Sequence, residues 1–124
     1  MTDDGIAAEL RDFIINCIDS VGQLEALLLL RADPAKTWDV AQLARRLYVN
    51  ETEAAAIFAQ LNAQSFAIAA GGSFRYDPAG KQTVIIDQLA EAYARQLIPI
   101  TNLIHAKPRR IREFADAFKL KKDT

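Results

Sequence analysis

The chain has 124 residues, of which 51% are apolar and 25% charged, with a formal net charge of −1. That length suits one hydrophobic core and is short for two, so a single domain over residues 1–124 is expected. The densest apolar run, Ala26 to Leu30, is far below the roughly 18 residues of a bilayer span, and Met1-Thr2-Asp3-Asp4 lacks the basic start of a secretory signal, so no membrane partner and a cytoplasmic setting are expected.

Ile6, Leu10, Phe13, Ile14, Cys17 and Ile18 recur at helical spacing and predict an N-terminal amphipathic helix over residues 6–18. Ser20-Val21-Gly22-Gln23 is a capping-box pattern, in which a hydroxyl takes the amide of the third helical residue and that residue's side chain reaches back. The helix it opens carries Leu24, Leu27 and Leu28. Leu29 and Leu30 make it apolar nearly all round, which places it at the centre of the fold. Asp33-Pro34 ends it, because proline disfavours helical geometry in the residue before it.

Thr37-Trp38 allows no more than a strand fragment, with Trp38 expected to pack beneath a hairpin formed later in the chain. Asp39 caps a two-turn helix with Val40, Leu43, Ala44 and Leu47 on one stripe, and Tyr48-Val49 forms a turn. Asn50-Glu51-Thr52-Glu53 is a third capping box, opening a helix that turns Ala54, Ile57, Phe58 and Leu61 inward and runs to about Gln64. The period then changes to two. Phe66 and Ile68 alternate with Ala67 and Ala69, Gly71-Gly72 breaks the run, and Phe74 and Tyr76 flank Arg75, which predicts the hairpin, ended by Asp77-Pro78.

A long helix is expected over residues 80–106, with Ile86, Leu89, Ala90, Tyr93, Leu97, Ile100, Leu103 and Ile104 along one stripe. Pro99 falls inside it and costs about 3 kcal/mol in a helix interior. The stripe keeps its phase across the proline, so one kinked helix is expected rather than two. A stripe this long needs a cover. Lys107-Pro108 ends the run; Ile111, Phe114, Ala115 and Phe118 then predict a short basic amphipathic helix over residues 109–119, which either docks on a partner or folds back on the domain.

Charge is unevenly spread. Asp3, Asp4, Glu9, Asp12, Asp19, Glu25 and Asp33 face only Arg11 and Arg31 in the first quarter of the chain, whereas Lys107, Arg109, Arg110, Arg112, Lys119, Lys121 and Lys122 dominate the end.

The predicted class is mainly α with a small β-hairpin, α+β. Over residues 20–77 the order is helix, strand fragment, short helix, tight turn, helix, hairpin. The segment TWDVAQLARRLYVNETEAAAIFAQLNAQSFAIAAGGSFRYDP, with its Leu43-Ala44 pair before Leu47, its Leu61 to Phe66 ending and its glycine-tipped hairpin, resembles the winged helix-turn-helix of MarR-type bacterial regulators. The resemblance implies a winged helix with an N-terminal helix and a long C-terminal helical extension, acting as a homodimeric regulator of transcription on double-stranded DNA. By the same resemblance, the helix from Glu51 to Gln64 would enter the major groove with Thr52 and Gln60 among its polar side chains. Arg45 and Arg46 would approach the backbone, and Arg75 would reach phosphates or the minor groove. Ile86, Leu89, Tyr93, Leu97, Ile100 and Ile104 would build the dimer.

An alternative reading is a winged-helix module that contacts another regulatory protein and no DNA. It rests on Glu51 and Glu53 at the head of that helix, which repel a polyanion, and on Ala55, Ala56 and Ala59 along its outward face.

No residue set points to catalysis, a metal or a cofactor, and an enzyme is not expected. His105 is the one histidine and Cys17 the one cysteine, so neither a disulfide, a thiolate zinc site nor a nucleophile-base pair can be assembled. Cys17 is expected as apolar filler and His105 as a surface or capping residue. Gly71-Gly72 lacks the lysine of a phosphate loop, and Asp87 with Glu91 reads as a solvated pair on one helix.

Overall fold

The computed structural model describes residues 5–106. The short basic helix expected over residues 109–119 lies outside them. Among the described residues the chain is mostly helical with one small antiparallel sheet: α1 (Ala8–Cys17), α2 (Val21–Ala32), α3 (Val40–Leu47), α4 (Glu51–Ala63), β1 (Ala67–Ala70), β2 (Ser73–Tyr76), α5 (Gly80–Arg95) and α6 (Leu97–Ala106). None of these helices is by itself long and apolar enough to cross a membrane.

Local chemistry sets the helix starts. Ser20 Oγ accepts the Gln23 N–H at 3.0 Å. Asp39 and Gln42 close a complete box, with side-chain to backbone bonds of 2.8 and 2.9 Å. Asn50 Oδ1 accepts the Glu53 N–H at 2.7 Å. Each such cap stabilises its helix by about 1 kcal/mol. The first box differs from its expected form: the Gln23 carbonyl takes the N–H of Asp19, at 2.7 Å, rather than that of Ser20.

The apolar residues of α2 form the centre. Leu24, Leu27 and Leu30 are fully buried, and Ile14 of α1, Leu43 of α3, Phe58 and Leu61 of α4 and Ile86 and Leu89 of α5 join the same core. Aromatic pairs tie the hairpin to it: Phe58 stacks on Phe74 with centroids 4.4 Å apart, and Phe13 meets Phe66 at 5.7 Å. Gly71 and Gly72, both at positive φ, form the tip of the hairpin, where residues without a Cβ turn freely.

The register pairs Ala67 with Tyr76, Ile68 with Arg75 and Ala69 with Phe74. Directly opposed residues share a face, so Ala67, Phe74 and Tyr76 turn to the helices while Ile68 and Arg75 turn away. This corrects the expected alternation. Phe66 is buried just before the strand begins, but Ile68 is 41% exposed. Trp38 pairs with the free edge of β2, exchanging two backbone bonds of 2.8 Å with Phe74, and is buried there.

The helical extension is broken once, at Gln96 (φ −129°, ψ 48°), and not kinked at Pro99. The Gln96 N–H closes α5 on the Ala92 carbonyl at 2.7 Å, and its own carbonyl opens α6 by accepting the Ile100 N–H at 3.1 Å. The physical reason is the proline. A Pro ring clashes with the carbonyl four residues back, here Arg95, and the break removes that carbonyl from the helix. Pro99 then lies in the first turn of α6, where its missing N–H is not needed.

Arg31 of α2 and Asp87 of α5 form an ion pair at 2.8 Å. The Tyr93 hydroxyl meets Glu25 at 3.3 Å. Burial, with the Glu25 charge beside it, raises the Tyr93 phenol above its ordinary range.

Candidate functional site

The least ordinary chemistry lies at the corner between α3 and α4. Arg45 and Arg46 occupy the last turn of α3, where cations suit the negative end of the helix dipole. Both are exposed. The helix is closed by Tyr48 in the left-handed conformation (φ 60°, ψ 43°), and the Val49 N–H returns to the Ala44 carbonyl at 3.0 Å. That is the hydrogen-bond pattern of a Schellman ending, whose left-handed position usually holds glycine. Here it holds a tyrosine that is 95% exposed.

On one side of Tyr48 lies an open cleft of about 620 Å³ between α2, the segment after it and α3. Leu29, Ala32 and Trp38 make its apolar lining. Lys36, Arg45 and Arg46 bring cations to it, with Gln42 and a single carboxylate, Asp33. The Lys36 ammonium sits 3.9 Å over the Trp38 ring. On the other side a second open hollow, about 660 Å³, is lined by Ala41, Ala44, Val49, Asn50 and Glu51. Arg45 and Tyr48 line both. They form the ridge between the two.

Among the described residues Arg31 pairs with Asp87 and Arg95 with Glu91. Lys36, Arg45, Arg46, Arg75 and Lys81 have no carboxylate within pairing distance there. Three of these five cations surround the first cleft.

No family model, no curated protein and no solved structure matches this chain.

The residues expected to read DNA are placed unevenly. Thr52 is exposed in the first turn of α4, beside Glu51 and Glu53. Arg75 is half-buried on the outer face of the hairpin. Gln60 is not on the open face of α4: its amide donates to the Asp19 carboxylate at the corner between α1 and α2. Gln64 points the same way, donating to the Cys17 carbonyl at 2.7 Å and accepting from Gln23 at 2.9 Å. The outer face of α4 is therefore exposed Thr52, Ala55, Ala56, Ala59, Asn62 and Ala63.

The stripe expected to seek a second copy is satisfied within one chain. Ile86, Leu89, Ile100 and Ile104 are all buried in the core, Tyr93 is half-buried, and only Leu97 stands out at 48% exposure. The cover comes from the N-terminal segment and α1, where Ile6, Leu10 and Ile14 share that core. The break at Gln96 helps, since it lets the two arms of the extension bend onto one body.

Cys17 is half-buried against the core and its carbonyl accepts two amides, from Gln23 and Gln64. His105 is exposed near the end of the described α6. No group of three or more His, Cys, Asp or Glu residues could hold a metal ion among the described residues. Sequence reasoning passed over Lys36, Gln42 and Tyr48. Lys36 and Gln42 gave no signal, because the cleft joins segments that are separate in sequence. Tyr48 did give one: a large aromatic directly after a helix, where glycine or asparagine is the ordinary terminator.

Proposed function

We propose that this chain is a winged-helix regulator that binds double-stranded DNA, anchored through the basic corner between α3 and α4. The observation that carries the reading is the gathering of Lys36, Arg45 and Arg46, without carboxylate partners among the described residues, around one open cleft. Exposed guanidinium and ammonium groups neutralise phosphates and release counterions, which supplies much of the affinity for a duplex. The order helix, turn, helix, hairpin, with Trp38 bridged to the edge of β2, supports the winged-helix assignment. In that arrangement α4 lies beside the anchored backbone and its first turn, with Thr52, approaches the groove. The hairpin carries Arg75 as a further phosphate contact.

The test is duplex affinity measured against salt concentration. Wild-type protein is expected to show a steep logarithmic slope, and Arg45→Ala with Arg46→Ala should make it shallower by about 2, one per lost phosphate contact. A flat wild-type slope ends the DNA reading.

One observation favours a second reading, contact with a regulatory protein through α4. Its outer face is mostly alanine with two carboxylates at its head, which permits close packing and offers a polyanion no cation. A cation placed there separates the two. Ala56→Arg tightens duplex binding when α4 faces DNA and leaves it unchanged when α4 faces protein.

A further inference from the structure

We infer that Tyr48 is a contact residue of the DNA interface, donating its hydroxyl to a backbone phosphate while its ring packs along the sugar edge beside Arg45. The inference rests on the DNA reading above and adds a residue and a bond to it. Three observations converge on this side chain. Its backbone is left-handed, a conformation that strains any residue with a Cβ and that glycine adopts without strain. Its ring is 95% exposed, so the aromatic surface contributes nothing to the core. Its position is the ridge shared by the two hollows, with Arg45 lining both.

A tyrosine in this place weakens the corner and gains no burial in return, so the fold does not account for it. An interface does. Strained residues persist where function needs a side chain held in one direction, and the closed ending of α3 holds this one pointing outward. Tyrosine hydroxyls are ordinary phosphate donors, and tyrosine and arginine are both among the residue types enriched where binding energy gathers. The neighbouring charges agree. Arg45 and Arg46 precede Tyr48 on α3, and Lys36 lies across the cleft, so a phosphate drawn to these cations comes within reach of the phenol.

The experiment compares wild-type full chain, Tyr48→Gly and Tyr48→Phe for affinity to a short mixed-sequence duplex at low salt, with the melting temperature of each. Tyr48→Gly relieves the backbone strain, so its melting temperature should match or exceed the wild type by a few degrees. Its duplex affinity should fall about tenfold, the loss of one hydrogen bond to a charged group. Tyr48→Phe keeps the ring and the corner and should lose most of that factor through the hydroxyl alone. Wild-type binding with undiminished affinity in Tyr48→Gly overturns the inference and leaves the DNA reading standing. A lowered melting temperature in Tyr48→Gly also overturns it, since the ring would then be holding the corner together. No duplex binding by the wild type removes both.

Discussion

Gln23 is the one polar side chain that is wholly buried among the described residues, and its amide is fully engaged. Its carbonyl accepts the Asp19 N–H at 2.7 Å, and its NH2 donates to the Cys17 carbonyl at 2.8 Å and to Gln64 at 2.9 Å. These bonds tie the corner between α1 and α2 to the end of α4, and Gln60 adds a bond from α4 to Asp19. Gln23→Leu would preserve much of the volume and leave the Asp19 N–H and the Gln64 side-chain carbonyl without this partner. We expect urea denaturation to show a loss of about 2–3 kcal/mol; a loss below about 0.5 kcal/mol would mean that water enters and replaces the amide. Half of this residue's role was legible in the sequence, since a capping box spans only a few positions and needs no knowledge of the fold. The other half was not. The bond to Gln64 joins residues 41 apart, and nothing in the spacing of either glutamine indicates it. The bond from Gln60 to Asp19 is hidden for the same reason: helical phase tells which face a residue occupies, not what stands opposite that face.

Among the elements, the extension formed by α5 and α6 differs most from its expected form. Its apolar stripe was legible from steps of three and four, but the identity of its cover is a long-range property that periodicity does not carry. In the structure Ile86, Leu89, Ile100 and Ile104 are buried by the chain itself. The melting temperature should therefore stay constant over a hundredfold range of about micromolar concentrations, whereas a fold completed by dimerisation would melt higher as concentration rises. Pro99 marked a disturbance in the right neighbourhood while the break fell at Gln96, because a proline acts on the carbonyl four residues before it. The hairpin was legible from its glycines and its period of two; the exposure of Ile68 was not, since a strand with helices on one side leaves the other side open.

For the molecule as a whole, the class was legible: helices of period 3.6, then a short run of period two, then helices again. The candidate site was legible only in its charges, Arg45, Arg46 and Arg75, and not in the cleft that Lys36, Gln42 and Tyr48 complete. One arrangement has a kinetic consequence. The packing of α3 on α4, of β1 on β2 and of α4 on β1 joins near neighbours along the chain, but α1 packs on α5, and Gly5 lies against the Gln96 side chain. Bringing those distant stretches together closes a long loop, and its entropy must be lost before the contacts reward it. The ends should thus join after the middle has formed. In stopped-flow measurements, Leu10→Ala should speed unfolding and hardly change refolding, while Leu43→Ala should slow refolding; the reverse pattern would place the meeting of the ends at the rate-limiting barrier. Strand pairing and the α3–α4 corner would then exist, transiently, in a chain whose α1 and α5 are still apart, with the apolar faces of those two helices the last large surface to be shut away from water.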